Sequence, residues 1–174
     1  MIRQLALGCA ALMLTAGGAL AQTGGKPTDP QIAHIAYTAG EIDIAAGKQA
    51  LKKSHNKEVR SFAEEMVRDH TAVNKQALAL VKKLHVTPQD NPTSQALARG
   101  GKEKLAELSK LNGKSFDKAY AENEVAFHKT VNGALETTLI PDAQNGELKS
   151  LLQTGLKLFR EHQQHAEHVA ADLR

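Results

Sequence analysis

Three of the eight histidines occupy positions where a buried helix would ordinarily carry an apolar side chain. His70 and His162 each continue an apolar run at helical spacing, and His128 lies at the edge of such a run. Imidazole is a common ligand of transition metals, and with thiolate absent the ligand set would suit zinc, copper, iron or manganese. The positions of these histidines therefore predict a metal site inside a helical protein.

A carboxylate could complete this ligand set from a fourth helix. Glu41 lies in TAGEIDIAAG (38–47), a stretch of mostly small residues that lets another helix approach closely. At 1.5 Å rise per residue, Glu41 lies about 12 residues before the first turn and His70 about 15 after it. His128 and His162 lie about 15 and 19 residues from the centre of their own connection. The spacing predicts that Glu41, His70, His128 and His162 meet in one layer.

A competing interpretation is that the histidines are hydrogen-bonded core residues without a metal. Dinuclear iron centres of helical bundles use a Glu three residues before a His on two helices. Here the residues three before the histidines are Val67, Val125 and Phe159, so a mononuclear site is favoured over a dinuclear oxidase. Nucleophile-elbow, phosphate-loop and HExxH patterns do not occur. We therefore expect a binding protein rather than an enzyme.

The helices that would position these residues are separated by prolines and short polar turns. The patterns predict helices over 30–53, 57–85, 94–111 and 115–140 and a last helix after the loop 141–146. Asp69 is expected to face solvent or the first turn, because neighbours on a helix point about 100° apart. His168 is expected at the surface. Four long helices with a crossover containing a shorter helix predict an all-α antiparallel four-helix bundle.

The first residues read as an export signal. Residues 1–21 combine Arg3, an apolar run and the Ala19-Leu20-Ala21 box, which predicts a signal peptide. A lipid anchor on Cys9 and a retained membrane helix are weaker interpretations, the second because the run is about 16 residues against the roughly 20 that span a bilayer. We expect a flexible segment over 22–29 and one bundle domain over 30–174. The mature chain would be periplasmic, without a transmembrane span.

Composition excludes two further classes of protein. Cleavage at residue 21 would remove Arg3 and Cys9, so the formal charge falls from +3 to +2 and no disulfide can form. A near-neutral chain with 3% aromatic residues has neither the charge nor the rings for nucleic-acid binding. Any metal ligands must be histidines and carboxylates.

At these residues the sequence resembles the DUF4142 family. The resemblance rests on GEIDIAAGKQAL around Glu41, EVRSFAEEMVRDHT around His70, LNGKSFDKAY (111–120), His128 and His162. It implies an exported bacterial protein of ferritin-like four-helix type, often labelled an outer membrane protein, which admits a peripheral association with that membrane. The family supplies no established role. The sequence departs from the family at Phe127, where an acid often stands, and at Lys157, where proline is favoured.

Together these features predict an exported helical bundle that binds a single zinc, copper or iron ion through Glu41, His70, His128 and His162. One alternative is a structural or stress-related interaction module without a metal. A second alternative is a ferritin-like oxidase, which the missing Glu-x-x-His pairs disfavour.

Overall fold

The computed structural model describes residues 25–174, which form five long helices and contain no strand. The predicted all-α class is therefore confirmed for this range. The predicted signal peptide over 1–21, including Cys9, and residues 22–24 lie outside the described residues. The elements are α1 (Asp29–Lys53), α2 (Lys57–Lys83), α3 (Pro92–Ser109), α4 (Gly113–Ala134), a π-helix (Leu135–Leu139), α5 (Ile140–Asp142) and α6 (Gly146–Asp172). None of these helices is long and apolar enough to cross a membrane.

Helix boundaries follow from local capping chemistry. The side chain of Asn56 accepts hydrogen bonds from the amides of Glu58 and Val59 at the start of α2. Asn145 caps α6 in the same way. Prolines stand in the first turns of α1 and α3, where the missing N–H costs nothing.

The helix that carries His128 differs from the prediction at both ends. It begins at Gly113, two residues before the predicted cap Ser115, with Asn112 as its cap and Gly113 at φ 54°. Its C-terminal end does not stop at residue 140, because the π-helix and α5 carry the helical path to Asp142. Pro141 is tolerated there because it occupies the first turn of α5.

Long-range hydrogen bonds fix which helix ends meet. The Asp29 carboxylate accepts from the amides of Gln144 and Asn145 at 2.8 Å each, which joins the start of α1 to the start of α6. Lys53 Nζ donates to the carbonyl of Ser109 at 2.9 Å, which joins the end of α1 to the end of α3. The largest interfaces are α1 against α2 and α4 against α6.

The core consists of two apolar clusters. The first lies near the α1–α2 turn and comprises Ala46, Ala50, Val59, Phe62, Ala63, Met66, Leu108, Phe116, Tyr120, Ala121, Ala166 and Val169. The second lies toward the opposite end and comprises Ile32, Ile35, Leu135, Leu139, Ala143, Leu148, Leu152 and Leu156.

Between the two clusters, four helices each contribute buried polar residues, which we call the polar layer. Its members are Asp43 on α1, His70 on α2, Glu124 and His128 on α4, and His162 on α6. On each helix these residues have the first cluster on one side and the second cluster on the other, where each cluster includes the residues packed against it. The fold therefore places a layer of titratable side chains between its two apolar clusters.

Candidate metal centre

The three histidines predicted to converge do so in the structure. His70, His128 and His162 come from α2, α4 and α6 and are all buried. One ring nitrogen of each lies within 4.8 Å of one ring nitrogen of both others. The ring centroids are 5.2 to 5.6 Å apart. Three imidazoles from three helices thus surround one point in the polar layer.

Hydrogen bonds fix the tautomers of two of these rings. His128 Nδ1 lies 3.0 Å from the carbonyl oxygen of Glu124, which can only accept, so Nδ1 carries the hydrogen. Nε2 of His128 is then a bare acceptor, and it is buried without a partner. His162 Nε2 donates to Asp69 Oδ2 at 3.2 Å, which leaves Nδ1 buried without a partner. Each ring therefore presents a free lone pair to the interior.

His70 completes the group without a hydrogen bond on either ring nitrogen. Asp43 lies close to it, with His70 Nε2 and Asp43 Oδ2 3.4 Å apart. The ring stacks on Phe159, with centroids 4.7 Å apart and planes 13° from parallel. Packing rather than hydrogen bonding holds this imidazole in place.

Burial keeps all three imidazoles in the neutral form that a metal requires. Desolvation lowers the pKa of His70 well below its ordinary value, and the neighbouring His128 and His162 lower it further. Desolvation also lowers the pKa of His128 to about 4 and lowers the pKa of His162. No proton has to leave these rings at neutral pH before a metal ion binds.

Two buried carboxyl groups adjoin the histidines. A carboxylate oxygen of Asp43, one of Glu124 and a ring nitrogen of His128 lie within 4.8 Å of one another. Burial raises the pKa of Asp43 well above its ordinary value, and the charge of Glu124 adds to this shift. Burial raises the pKa of Glu124 to about 7. Within residues 25–174, neither acid forms an ion pair with a lysine or arginine.

A tyrosine hydroxyl lies beside the two acids. Tyr120 is fully buried and its Oη has no hydrogen-bond partner. Burial raises the pKa of the phenol well above its ordinary value, and the charges of Glu124 and Asp43 raise it further. The layer therefore combines imidazole nitrogens with carboxylate oxygens, the donor set that suits borderline divalent metals.

A family model described as "Domain of unknown function (DUF4142)" matches residues 14–169. The chain belongs to the DUF4142 family. No curated protein and no solved structure matches it. The matched range of this DUF4142 protein includes all three buried imidazoles, those of His70, His128 and His162.

Glu41 does not join the histidines, and Asp43 takes its place in the layer. Glu41 is exposed, and its carboxylate accepts a hydrogen bond from Asn74 Nδ2 at 2.8 Å. Two residues along a helix turn the side chain by about 200°, so Asp43 points inward where Glu41 points outward. Spacing offered a signal, because Asp43 falls on the stripe formed by Ala39, Ala46 and Ala50.

Asp69 contacts His162, although the sequence predicted that it faces solvent or the turn between α1 and α2. Its side chain is 17% exposed, and it receives the hydrogen bond from His162. Arg68 lowers the pKa of Asp69 through hydrogen bonds, so the group is a carboxylate that fixes the His162 ring. The contact arises because His162 lies on α6, which packs against α2. His168 is exposed, as predicted.

An apolar cavity of about 80 Å³ adjoins the second cluster, and Phe159, whose ring stacks on His70, forms part of its wall. It is lined by residues of α1, α2, α3, α4, the π-helix and α6, including Leu135, Leu139 and Leu152. Phe159 therefore contacts both the polar layer and an incompletely filled part of the second cluster.

Proposed function

We propose that this DUF4142 protein binds one divalent transition-metal ion through His70, His128 and His162. One observation carries the proposal: all three rings are buried close together, and each has at least one ring nitrogen without a hydrogen-bond partner. A buried polar atom without a partner costs free energy, and three at one point are unusual in a folded core. A metal ion would satisfy all three lone pairs at once.

The surrounding groups support this ligand set. Ligating histidines commonly have their other ring nitrogen held by a carboxylate or a backbone carbonyl. Asp69 does this for His162, and the Glu124 carbonyl does it for His128. Zinc–nitrogen distances near 2.1 Å place tetrahedral ligands about 3.4 Å apart, so small side-chain rotations from the present spacing would close the site. Imidazole ligands fit zinc, copper and iron alike.

The two buried acids favour a divalent over a monovalent ion. Asp43 and Glu124 face the layer without a lysine or arginine among the described residues to balance them. If both ionise, their charge equals that of one divalent cation. A buried charge is tolerated when it is paired, so an ion in this layer and the two carboxylates would stabilise each other.

We further propose that α1, α2, α4 and α6 form a ferritin-like antiparallel four-helix bundle with α3 in the crossover. The paired helix ends and the short α1–α2 connection support this arrangement. We also propose export by the signal peptide over 1–21 to the periplasm, with a peripheral association with the outer membrane as a variant of that location. The apolar run before the Ala19-Leu20-Ala21 box supports export.

The test is metal content and metal-dependent stability of the mature chain. Tag-free protein beginning at Gln22 is stripped with chelator, incubated with zinc, copper or ferrous iron, and desalted. We expect about one equivalent of ion and a melting temperature that rises with free metal, equivalent to about 2.7 kcal/mol at 100 times Kd. The variant with His70, His128 and His162 changed to Ala should lose both effects, and His168→Ala should keep them.

A purely structural role is the second candidate. Two of the three rings already make one hydrogen bond each, which favours it. An interaction module without a metal predicts a melting temperature that is indifferent to chelator and to metal. Bound metal below about a tenth of an equivalent for all three ions would select this role over metal binding.

A further inference from the structure

Metal-ligating side chains continue outward from the three histidines toward the surface. Glu65, Asp69 and His162 each place one ligand atom within 4.8 Å of the other two. This group shares His162 with the three-histidine group, which shares His128 with the Asp43–Glu124 pair. Three sets of ligands therefore overlap in series, and the outermost set lies between α2 and α6.

Solvent exposure decreases step by step along this series. The side chain of His165 is 39% exposed, that of Glu65 is 27%, that of Asp69 is 17% and that of His162 is 0%. The outer and inner pairs are in contact, with His165 Nδ1 2.7 Å from Glu65 Oε2 and His162 Nε2 3.2 Å from Asp69 Oδ2. Between the two pairs, Glu65 and Asp69 place carboxylate oxygens within 4.8 Å of each other. We call His165, Glu65 and Asp69 the entrance residues.

Both ends of the molecule offer a cation a worse approach. Along the helix axes the histidines are separated from solvent by the first and second apolar clusters. A hydrated ion that crossed either cluster would lose water without gaining ligands, which is costly. Between α2 and α6, each lost water can instead be replaced by a carboxylate oxygen or an imidazole nitrogen.

A resident cation competes for the middle of this series. Arg68 Nε lies 2.7 Å from Asp69 Oδ1, and Arg68 Nη2 lies 3.0 Å from Asp69 Oδ2. The arginine side chain is 69% exposed, so it can swing into solvent. An incoming ion that binds Asp69 must weaken the Arg68–Asp69 pair. Arg68 should therefore slow the entry of metal ions.

We infer that divalent transition-metal ions reach the three histidines through the entrance residues between α2 and α6. This access route rests on the proposed metal site but makes a separate, kinetic claim. Residues that line only a route accelerate binding and release equally, so they change both rates and leave the dissociation constant unchanged.

The experiment follows Co²⁺ binding to the mature chain by stopped-flow absorbance, with release followed after mixing with excess chelator. The test variant is Glu65→Gln with His165→Gln, which removes two ligands but keeps size and hydrogen bonding. The matched control is Glu64→Gln with His168→Gln, which changes exposed neighbours on the same two helices. A third variant, Arg68→Gln, removes the ion pair that Arg68 forms with Asp69.

We expect the test variant to slow binding and release together by about tenfold, the lower end of what focusing charges contribute to association rates. The control should match the wild type. Arg68→Gln should speed both rates by about two- to fivefold, the size expected for loss of an exposed ion pair.

Unchanged rates in the test variant, or a change in dissociation constant at unchanged binding rate, would overturn the route while leaving the metal site in place. Equal slowing in the control and in the test variant would also overturn the route. It would show that the rates respond to the net charge of the protein and not to the entrance residues. Absence of Co²⁺ binding to the wild type under all conditions would instead remove the proposed site itself.

Discussion

The apolar clusters and the polar layer of this DUF4142 protein are built on opposite principles. Around Phe62, Met66 and Phe116, the first cluster fills the interior with fully buried apolar side chains. A few residues further along the same helices, the polar layer buries five titratable groups and leaves several of their atoms without partners. One region gains free energy on folding through burial, and the other loses it.

This difference indicates which region stabilises the fold, and it supports the proposal that the polar layer binds a ligand. Leucines in place of the three histidines would give a more conventional core. The chain instead keeps imidazoles and acids between the two apolar clusters, on α1, α2, α4 and α6. A cost in stability at one defined layer is expected where a site is built, since sites sacrifice packing for chemistry.

Removal of a ring from the first cluster should produce the largest change in stability. Phe116→Ala deletes a fully buried ring that stacks on Tyr120 at 6.1 Å. We expect the free energy of unfolding to fall by about 3 to 5 kcal/mol, measured by urea denaturation of metal-free protein. Phe127→Ala, on the same helix but only partly buried, is the control. Equal losses for the two variants would contradict the assigned core.

Glu124 and His128 should give the polar layer two opposite responses to pH. The pKa of Glu124 is about 7 in the folded state against 4.5 for the free side chain. Because the folded state holds this proton more tightly, the contribution of Glu124 is full below pH 4.5 and is lost as pH rises through about 7. His128 behaves oppositely: its contribution is full above pH 6.5 and is lost as pH falls through about 4.

Comparison with Glu124→Gln isolates the acid between pH 6.5 and 8. The unfolded histidines still lose protons in this window, but their contributions are the same in both proteins and cancel in the difference. We expect the unfolding free energy of the metal-free wild type to fall by about 1 kcal/mol relative to that of Glu124→Gln across this window. Glu122→Gln, exposed on the same helix, should behave as the wild type does. A difference between the wild type and Glu124→Gln that does not change with pH would show that the layer does not hold this proton.

Most of the fold could be predicted because local chemistry sets it. Asn and Pro at helix starts and apolar periodicity located all five long helices to within a few residues. The π-helix at Leu135–Leu139 could not be predicted, because its sequence carries no marker that distinguishes it from an α-helix. The continuation of the helical path through Pro141 could not be predicted either, because proline is equally compatible with a helix end and with the first turn of a helix.

The site was predictable only in part. Three histidines on apolar stripes were visible, because periodicity assigns each residue a face. The choice between Glu41 and Asp43 depends on which face of α1 points into the core. Only the buried stripe of α1 shows that face, and Asp43 belongs to it although its side chain is acidic. The pairing of Asp69 with His162 could not be predicted. The two residues are 93 positions apart in the sequence, and they meet only because α6 packs against α2.

The smallest predicted effect concerns the second cluster, where packing is incomplete. Gly155 lines the cavity, and a Cβ there would lie 3.4 Å from Phe159 Cε2, an ordinary contact. Gly155→Ala should raise the unfolding free energy by about 0.5 to 1 kcal/mol, because alanine suits a helix interior better than glycine. Gly47→Ala has the same intrinsic preference, but its Cβ would meet the Ala63 carbonyl oxygen at 3.0 Å and Val67 Cγ2 at 2.9 Å, so we expect destabilisation. Thermal unfolding of both metal-free variants measures the contrast, and equal shifts in the same direction would show that helix preference, not packing, decides both.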